Sequence, residues 1–460
     1  MICLMNVKQN ETIARHAVSL VPEILKFSVP LMGTGILQLV YNAADSVIVG
    51  RFAGSVSLAA VGSNSSLVYL FISLFTGVAV GVNYLAARFA GAQDDKSLFE
   101  TVHCSLFLGI LLGLSAGAVG FIFAPECLKI MHTDPDVLPL AVVYLRIYFV
   151  GVPALVLYDF GAALLRAVGD TVSSFLFMLI SGAVNVALNL LFVVVLKWDV
   201  AGVAAATTIS QTLSMLLVLI RLARRTDGCR FVLKALRYYP EKAAVILPVG
   251  LTAGLQGMVF SIANVIVQAQ VNTFGSAAMA GNVAANNLEN FIHTILNSFY
   301  QAAITFTSRS LGAKNTKRAK AVLMSTLGLN TVLGVFLCGG LLLFRTGLLG
   351  IYIKASDPSF SEVIATGVKR VFCIGQFQWV GGLMETASGS LRGYGKSLNS
   401  TVTTLIGSCA LRIIWVYTVF RSIGSIESLY AAIPVSWLLT FTAHILFLRH
   451  YQNELDRETV

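Results

Sequence analysis

Four carboxylates, Asp45, Asp159, Glu289 and Glu385, interrupt runs of otherwise apolar residues. A carboxylate at the centre of a bilayer costs roughly 2.5–3.5 kcal/mol on insertion scales, so four would cost about 10 kcal/mol unless protonated, paired or facing water. Asp45 follows Thr34, Gln38 and Asn42 at spacings that place all four on one helix face. Glu289 and His293 stand one helical turn apart on a face shared with Asn282, Asn286 and Asn297. A carboxylate beside an imidazole can hold or pass a proton; the plainer alternative is a charge pair that locks two helices. Asp159 and Glu385 each precede an arginine, Arg166 and Arg392, by seven residues, which fits either a gate or a helix-end ion pair. Arg146 and Arg412 are the other charges predicted to be buried, and pairing with these carboxylates is the expectation for both. Ser181, Asn185 and Asn189 share a face, and Thr207 follows. Their oxygens beside Asp45 can coordinate a small hard cation such as sodium, or can simply join helices.

The elements that must carry these groups are membrane spans. Of the 460 residues 56% are hydrophobic and only 12% charged, against roughly 25% charged in soluble domains. Apolar runs long enough to cross about 30 Å of hydrocarbon are predicted near 22–49, 57–87, 101–123, 138–165, 172–196, 200–221, 243–270, 280–308, 320–344, 363–391, 398–420 and 428–448. Most of the 32 Lys and Arg fall at the ends of the chain and in the even-numbered loops, so both termini are expected to be cytoplasmic. The net charge of +10 then faces anionic lipid, and nucleic acid is not implied. The stretch from Arg221 to Lys242 reads as an amphipathic linker on the cytoplasmic surface. The first 21 residues lack the short apolar core of a cleavable signal, so the first span is expected to be retained. Seven scattered cysteines without a CxxC read as packing residues. Gly389 to Ser397 misses the phosphate-loop pattern at Ser390 and reads as a cytoplasmic loop.

The chain is also duplicated. Pro30, Thr34, Leu37 and Gln38 recur as Pro248, Thr252, Leu255 and Gln256, 218 residues on. Arg88, Gly91, Ala92 and Lys96 recur as Arg309, Gly312, Ala313 and Lys317, and Leu165-Arg166 with Gly169 recurs as Leu391-Arg392 with Gly395. Three ordered matches imply two six-helix lobes. Six spans return the chain to its starting side, so a parallel repeat about a pseudo-two-fold axis along the membrane normal is expected. The predicted division is 1–221 for the amino-terminal lobe, 222–242 for the linker and 243–460 for the carboxyl-terminal lobe.

In this order, Pro30 with Gln38, Asp45 to Gly50, Arg88-x-x-Gly91-Ala92, Leu165-Arg166-Ala-x-Gly169-Asp170, Asn185-x-x-x-Asn189, Ala206-Thr207-x-x-Ser210-Gln211 and Ser390-Leu391-Arg392-Gly393-x-Gly395 resemble the multidrug and toxic compound extrusion family. The resemblance spans essentially the whole chain. It implies an all-α integral membrane protein of twelve helices that exchanges small molecules for a cation. It also implies a cation site at Asp45, Asn185 and Thr207. Asn189 stands where many members have a second carboxylate, and the seventh span has none, leaving Glu289 and Glu385 to supply charge in the second lobe.

The expected function is therefore efflux of amphipathic, often cationic, compounds in exchange for H+ or Na+. Asp45, Asn185, Asn189, Thr207, Glu289, His293 and Glu385 are the candidates for cation coupling, and Gln38, Asn42, Asp159 and Gln256 for the substrate cleft. The expected setting is the cell membrane, as a monomer without a cofactor. A lipid-linked oligosaccharide flippase shares the architecture but needs a strongly basic cavity, for which only Arg146 and Arg412 qualify. No hydrolase constellation appears, so an enzyme is not expected.

Overall fold

Short turns whose central residues sit in the left-handed region divide the chain into helices, and those turns repeat. Gly54 and Gly275 hold φ of 92° and 95°, Gly169 and Gly395 hold 85° and 77°, and Gln93 and Lys314 hold 55° and 54°. The glycines adopt this conformation without the penalty a Cβ brings. Helix starts repeat as well: Asp94 Oδ1 accepts from the Ser97 N–H at 3.0 Å, and Asn315 Oδ1 from the Arg318 N–H at 2.8 Å. Each such cap contributes about 1 kcal/mol. The duplication read in the sequence is thus visible in the turns and caps.

The structure is a computed structural model. It describes the backbone of residues 2–131, 133–353 and 357–458, and side chains from His16 onward apart from those at 55, 65–67 and 458. Of the seven cysteines, Cys3 lies outside the described side chains. The helices are α1 (Ile2–Phe52), α2 (Ser55–Ala92), α3 (Asp95–Ile130), α4 (Leu138–Ala167), α5 (Thr171–Val195), α6 (Asp199–Ala223), α7 (Pro240–Asn272), α8 (Ser276–Gly312), α9 (Thr316–Leu349), α10 (360–393), α11 (Ser397–Ile423) and α12 (Ile426–Glu458). Predicted as one span, α10 runs as two pieces, Phe360–Cys373 and Gln378–Gly393, around a 3-10 turn at Gly375–Phe377. Among the described residues ten of the twelve are long and apolar enough to cross a membrane; α8, rich in Asn, and the broken α10 are not among them. The last turns of α10 take up Gly389 to Gly393, so the segment read as a loop is mostly helix.

Two compact units result: residues 33–254, and residues 1–32 with 255–460. The division by contacts falls inside α1, between Met32 and Gly33, and inside α7, between Gly254 and Leu255. The start of α1 packs in the second unit, with Ile24 and Phe27 in one buried cluster with Phe299 and Phe306. The start of α7 packs in the first unit against α2. A Cβ on Gly77 would lie 2.2 Å from the Gly254 backbone, and one on Gly81 would lie 2.2 Å from the Ile246 carbonyl. Only glycine allows backbones so close.

The linker after α6 joins it to α7 through largely irregular backbone, with a 3-10 turn at Leu233–Ala235, and irregular backbone needs outside partners. The Val232 N–H donates to His103 Nε2 at 3.0 Å, and the Gly228 N–H to Asp95 Oδ1 at 3.1 Å. Cys229 is fully buried.

Candidate cation-coupling site

In the first unit Asp45 on α1 meets the face of α5 that carries Asn185 and Asn189. Asn189 Nδ2 donates to Asp45 Oδ1 at 2.5 Å and approaches Asn185 Oδ1 at 3.2 Å. Asn189 is fully buried and Asn185 nearly so. The Asn189 Oδ1 and Thr207 Oγ1 atoms are buried without a hydrogen-bond partner, as is rare for buried polar atoms. No Lys, Arg or His lies within ion-pair distance of Asp45 among the described residues. A half-buried carboxylate with one neutral donor, beside the amide oxygens of Asn189 and Asn185, is a set of acceptors suited to a proton or a small hard cation. At Asn189 the α-helix gives way to a π segment, Leu190–Val195; such segments recur at functional sites.

Asp159 on α4 accepts from Thr76 Oγ1 of α2 at 3.4 Å and has no ion pair among the described residues. Gln38 and Asn42 are exposed, with no side-chain bond to Asp45 among the described contacts. Arg146, expected to pair with a carboxylate, lies over the Phe121 ring instead, 5.3 Å from the centroid.

The second unit rearranges the predicted pairs. Glu289 does not partner His293. Arg370 grips Glu289 at two points, Nε to Oε1 at 3.1 Å and Nη2 to Oε2 at 2.7 Å, and Gln378 Nε2 adds a contact at 3.3 Å. The same guanidinium donates to Asn282 Oδ1 and Asn286 Oδ1 at 2.7 and 2.9 Å. The i, i+4 spacing that suggests a Glu–His pair gives way to a charged fork from α10, a stronger partner than a neutral imidazole. Sequence reading passes over Arg370; a cation one turn above the break in α10 is the available signal.

His293 turns to Glu385, Nε2 to Oε1 at 2.9 Å, and Asn297 Nδ2 donates to Glu385 Oε2 at 3.1 Å. The His293 and Glu385 side chains are 47% and 26% exposed, against 3% for Glu289. The helix-end ion pair between Glu385 and Arg392 does not form. Arg392 instead donates to Tyr300 Oη at 2.6 Å and to Gln256 Oε1 at 2.8 Å, which ties up Gln256. Arg412 likewise has no carboxylate partner among the described residues.

An all-helical, duplicated bundle of membrane spans with carboxylates and amides set among them has the makings of a polytopic membrane transporter. The chain belongs to the MatE family, whose match covers residues 30–191 and again 253–418, one block in each half. It is similar to the probable multidrug resistance protein YoeA of Bacillus subtilis, 28% identical over 73% of this chain and 74% of the relative. It is also similar to an FAD transporter of Shewanella oneidensis, 24% identical over 90% of this chain and 91% of the relative. Its fold matches a crystal structure of MATE in complex with MaL6 with a TM-score of 0.88, at 21% identity over 95% of this chain and 97% of that one.

Proposed function

We propose that this chain is a secondary active exporter that exchanges amphipathic, often cationic, small organic compounds for H+ or Na+, with Asp45 as the coupling group. The observation that carries the reading is a carboxylate held by a single neutral amide, with no cationic side chain at ion-pair distance among the described residues and with the orphaned Asn189 Oδ1 on the amide that reaches it. A proton on Asp45, or a sodium ion held by Asp45, Asn185, Asn189 and Thr207, removes the uncompensated charge and so stabilises whichever conformation buries it. The likeness to a probable multidrug resistance protein supports the export of drug-like compounds. His293 and Glu385 form a second, more exposed pair for a proton or a cationic substrate, whereas Glu289, bound by Arg370, serves to join α8 to α10. Gln38, Asn42 and Asp159 remain candidates to contact substrate. The chain works as a monomer in the cell membrane with both termini in the cytoplasm. The test is efflux of a fluorescent organic cation from proteoliposomes under an imposed pH or sodium gradient. Wild-type protein is expected to respond to one of the two, and no response to either defeats the proposal.

A further inference from the structure

The three helices that carry Asp45, Asn189 and Thr207 are the first, fifth and sixth; their counterparts in the duplication are the seventh, eleventh and twelfth, and there the buried charge has the opposite sign. Arg412 on α11 donates through Nη1 to Asn264 Oδ1 of α7 at 3.0 Å and through Nε to Ser436 Oγ of α12 at 2.9 Å. It is 1% exposed, and its Nη2 is buried with no hydrogen-bond partner. On Asn189, the amide that reaches Asp45, the orphaned atom is an oxygen, an acceptor awaiting a cation; here the orphan is a cationic N–H, a donor awaiting an anion. The buried charges of the second unit agree. Among the described residues Arg370, Arg392 and Arg412 are set against the single buried carboxylate Glu289, which Arg370 already occupies. The rings of Phe260 and Trp437 face the guanidinium at 4.7 and 5.9 Å from their centroids and temper the charge without neutralising it.

The helix around Arg412 is also unusual. The π segment that closes α5 at Leu190–Val195 recurs in α11 at Val416–Phe420, at the spacing of the duplication. A second π segment, Leu405–Ala410, ends two residues before Arg412 and has no counterpart in α5. Wide turns on both sides leave α11 able to shift its hydrogen-bond register at this point, the local movement that would bring Nη2 to a ligand.

We propose that Arg412, with Asn264 and Ser436, forms an anion-binding site that takes the carboxylate or phosphate group of an organic compound. A guanidinium fork suits such oxyanions. Binding stands on the second unit's own residues; that the bound compound is transported rests on the function proposed above. The test is thermal melting of the purified full-length protein in detergent, titrated with benzoate or phenyl phosphate at constant sodium and ionic strength, with benzylammonium as the control of opposite charge. Tm is expected to rise saturably with at least one anion, the larger response showing which group is preferred. Arg412→Gln is expected to need roughly 10-fold more anion for the same rise, the loss of a charge-assisted contact, and to leave the benzylammonium response unchanged. Absence of a saturable rise, or equal titrations of wild type and Arg412→Gln, would overturn the proposal. If Arg412→Gln does not fold, crystals of the wild type grown with 4-bromobenzoate decide: anomalous bromine density beside the Arg412 guanidinium is expected, and density only elsewhere, or none, refutes the site. Anion binding that survives while the Asp45 variants transport normally would separate this site from the coupling reading.

Discussion

Arg370 and Glu289 form a two-point ion pair, 2.7 and 3.1 Å long, between α10 and α8, and both side chains are almost fully buried. Two charges so placed fix helices to one another more readily than they exchange protons, because freeing either leaves the other uncompensated.

Glu289→Gln is therefore expected to destabilise the protein by about 3–5 kcal/mol, the cost of leaving Arg370 buried without its counter-charge. Replacing both partners by apolar residues of similar size, Glu289→Leu with Arg370→Met, is expected to restore much of that loss. Denaturation in detergent micelles checks both; a single variant as stable as wild type would show that the pair is not structural.

Asn189→Leu removes the one donor that reaches Asp45 at 2.5 Å. A hydrogen bond to a charged group contributes about 1.5–3 kcal/mol, equivalent to roughly ten- to a hundredfold in an equilibrium constant. The gradient needed for half-maximal efflux is expected to move by that much while membrane insertion is retained, as read from transport titrated against pH and against sodium.

Gly77→Ala places a Cβ against the Gly254 backbone, and overpacking of this kind costs about 1–3 kcal/mol. Gly339→Ala meets nothing within 4 Å and, in a helix interior, is expected to be neutral or stabilising by up to about 1 kcal/mol. A lowered melting temperature for Gly77→Ala and an unchanged or raised one for Gly339→Ala are the expected results.

Asp170 caps α5 through the Ser173 N–H at 3.2 Å and meets Arg221 at 2.8 Å. Burial pushes its carboxyl up, but the Ser173 and Arg221 hydrogen bonds outweigh this and hold it below its usual value. A depressed carboxyl stabilises the fold above its unfolded pKa of about 3.9 and loses that contribution as pH falls through the folded value. Asp170→Asn is thus expected to be less stable than wild type at neutral pH, with the gap closing below about pH 4. Melting curves across pH measure it.

Much of this fold was legible because membrane spans announce themselves locally. Length and hydropathy mark most spans, and the recurring Gly54/Gly275 and Gly169/Gly395 turns repeat whatever the tertiary context. The break in α10 at Gly375–Phe377 carries no comparable local mark, since a single glycine without a proline does not distinguish a break from the many unbroken helices here that contain glycine. Pairings were the other blind spot. Side chains at i and i+4 on α8 suggest Glu289 with His293, yet the partners arrive from α10, 81 and 92 positions away, and no one-dimensional pattern encodes that distance. Asp45 and Asn189 each lie on a polar stripe of their own helix, a local mark that, with the family resemblance, points to this region of the first unit.

That Asp45 carries the coupling cation is the central claim, and Asp45→Asn in proteoliposomes tests it most directly. The variant is expected to bind a fluorescent organic cation and insert normally but to lose efflux driven by either a pH or a sodium gradient. Gradient-driven efflux at the wild-type rate from Asp45→Asn would contradict it.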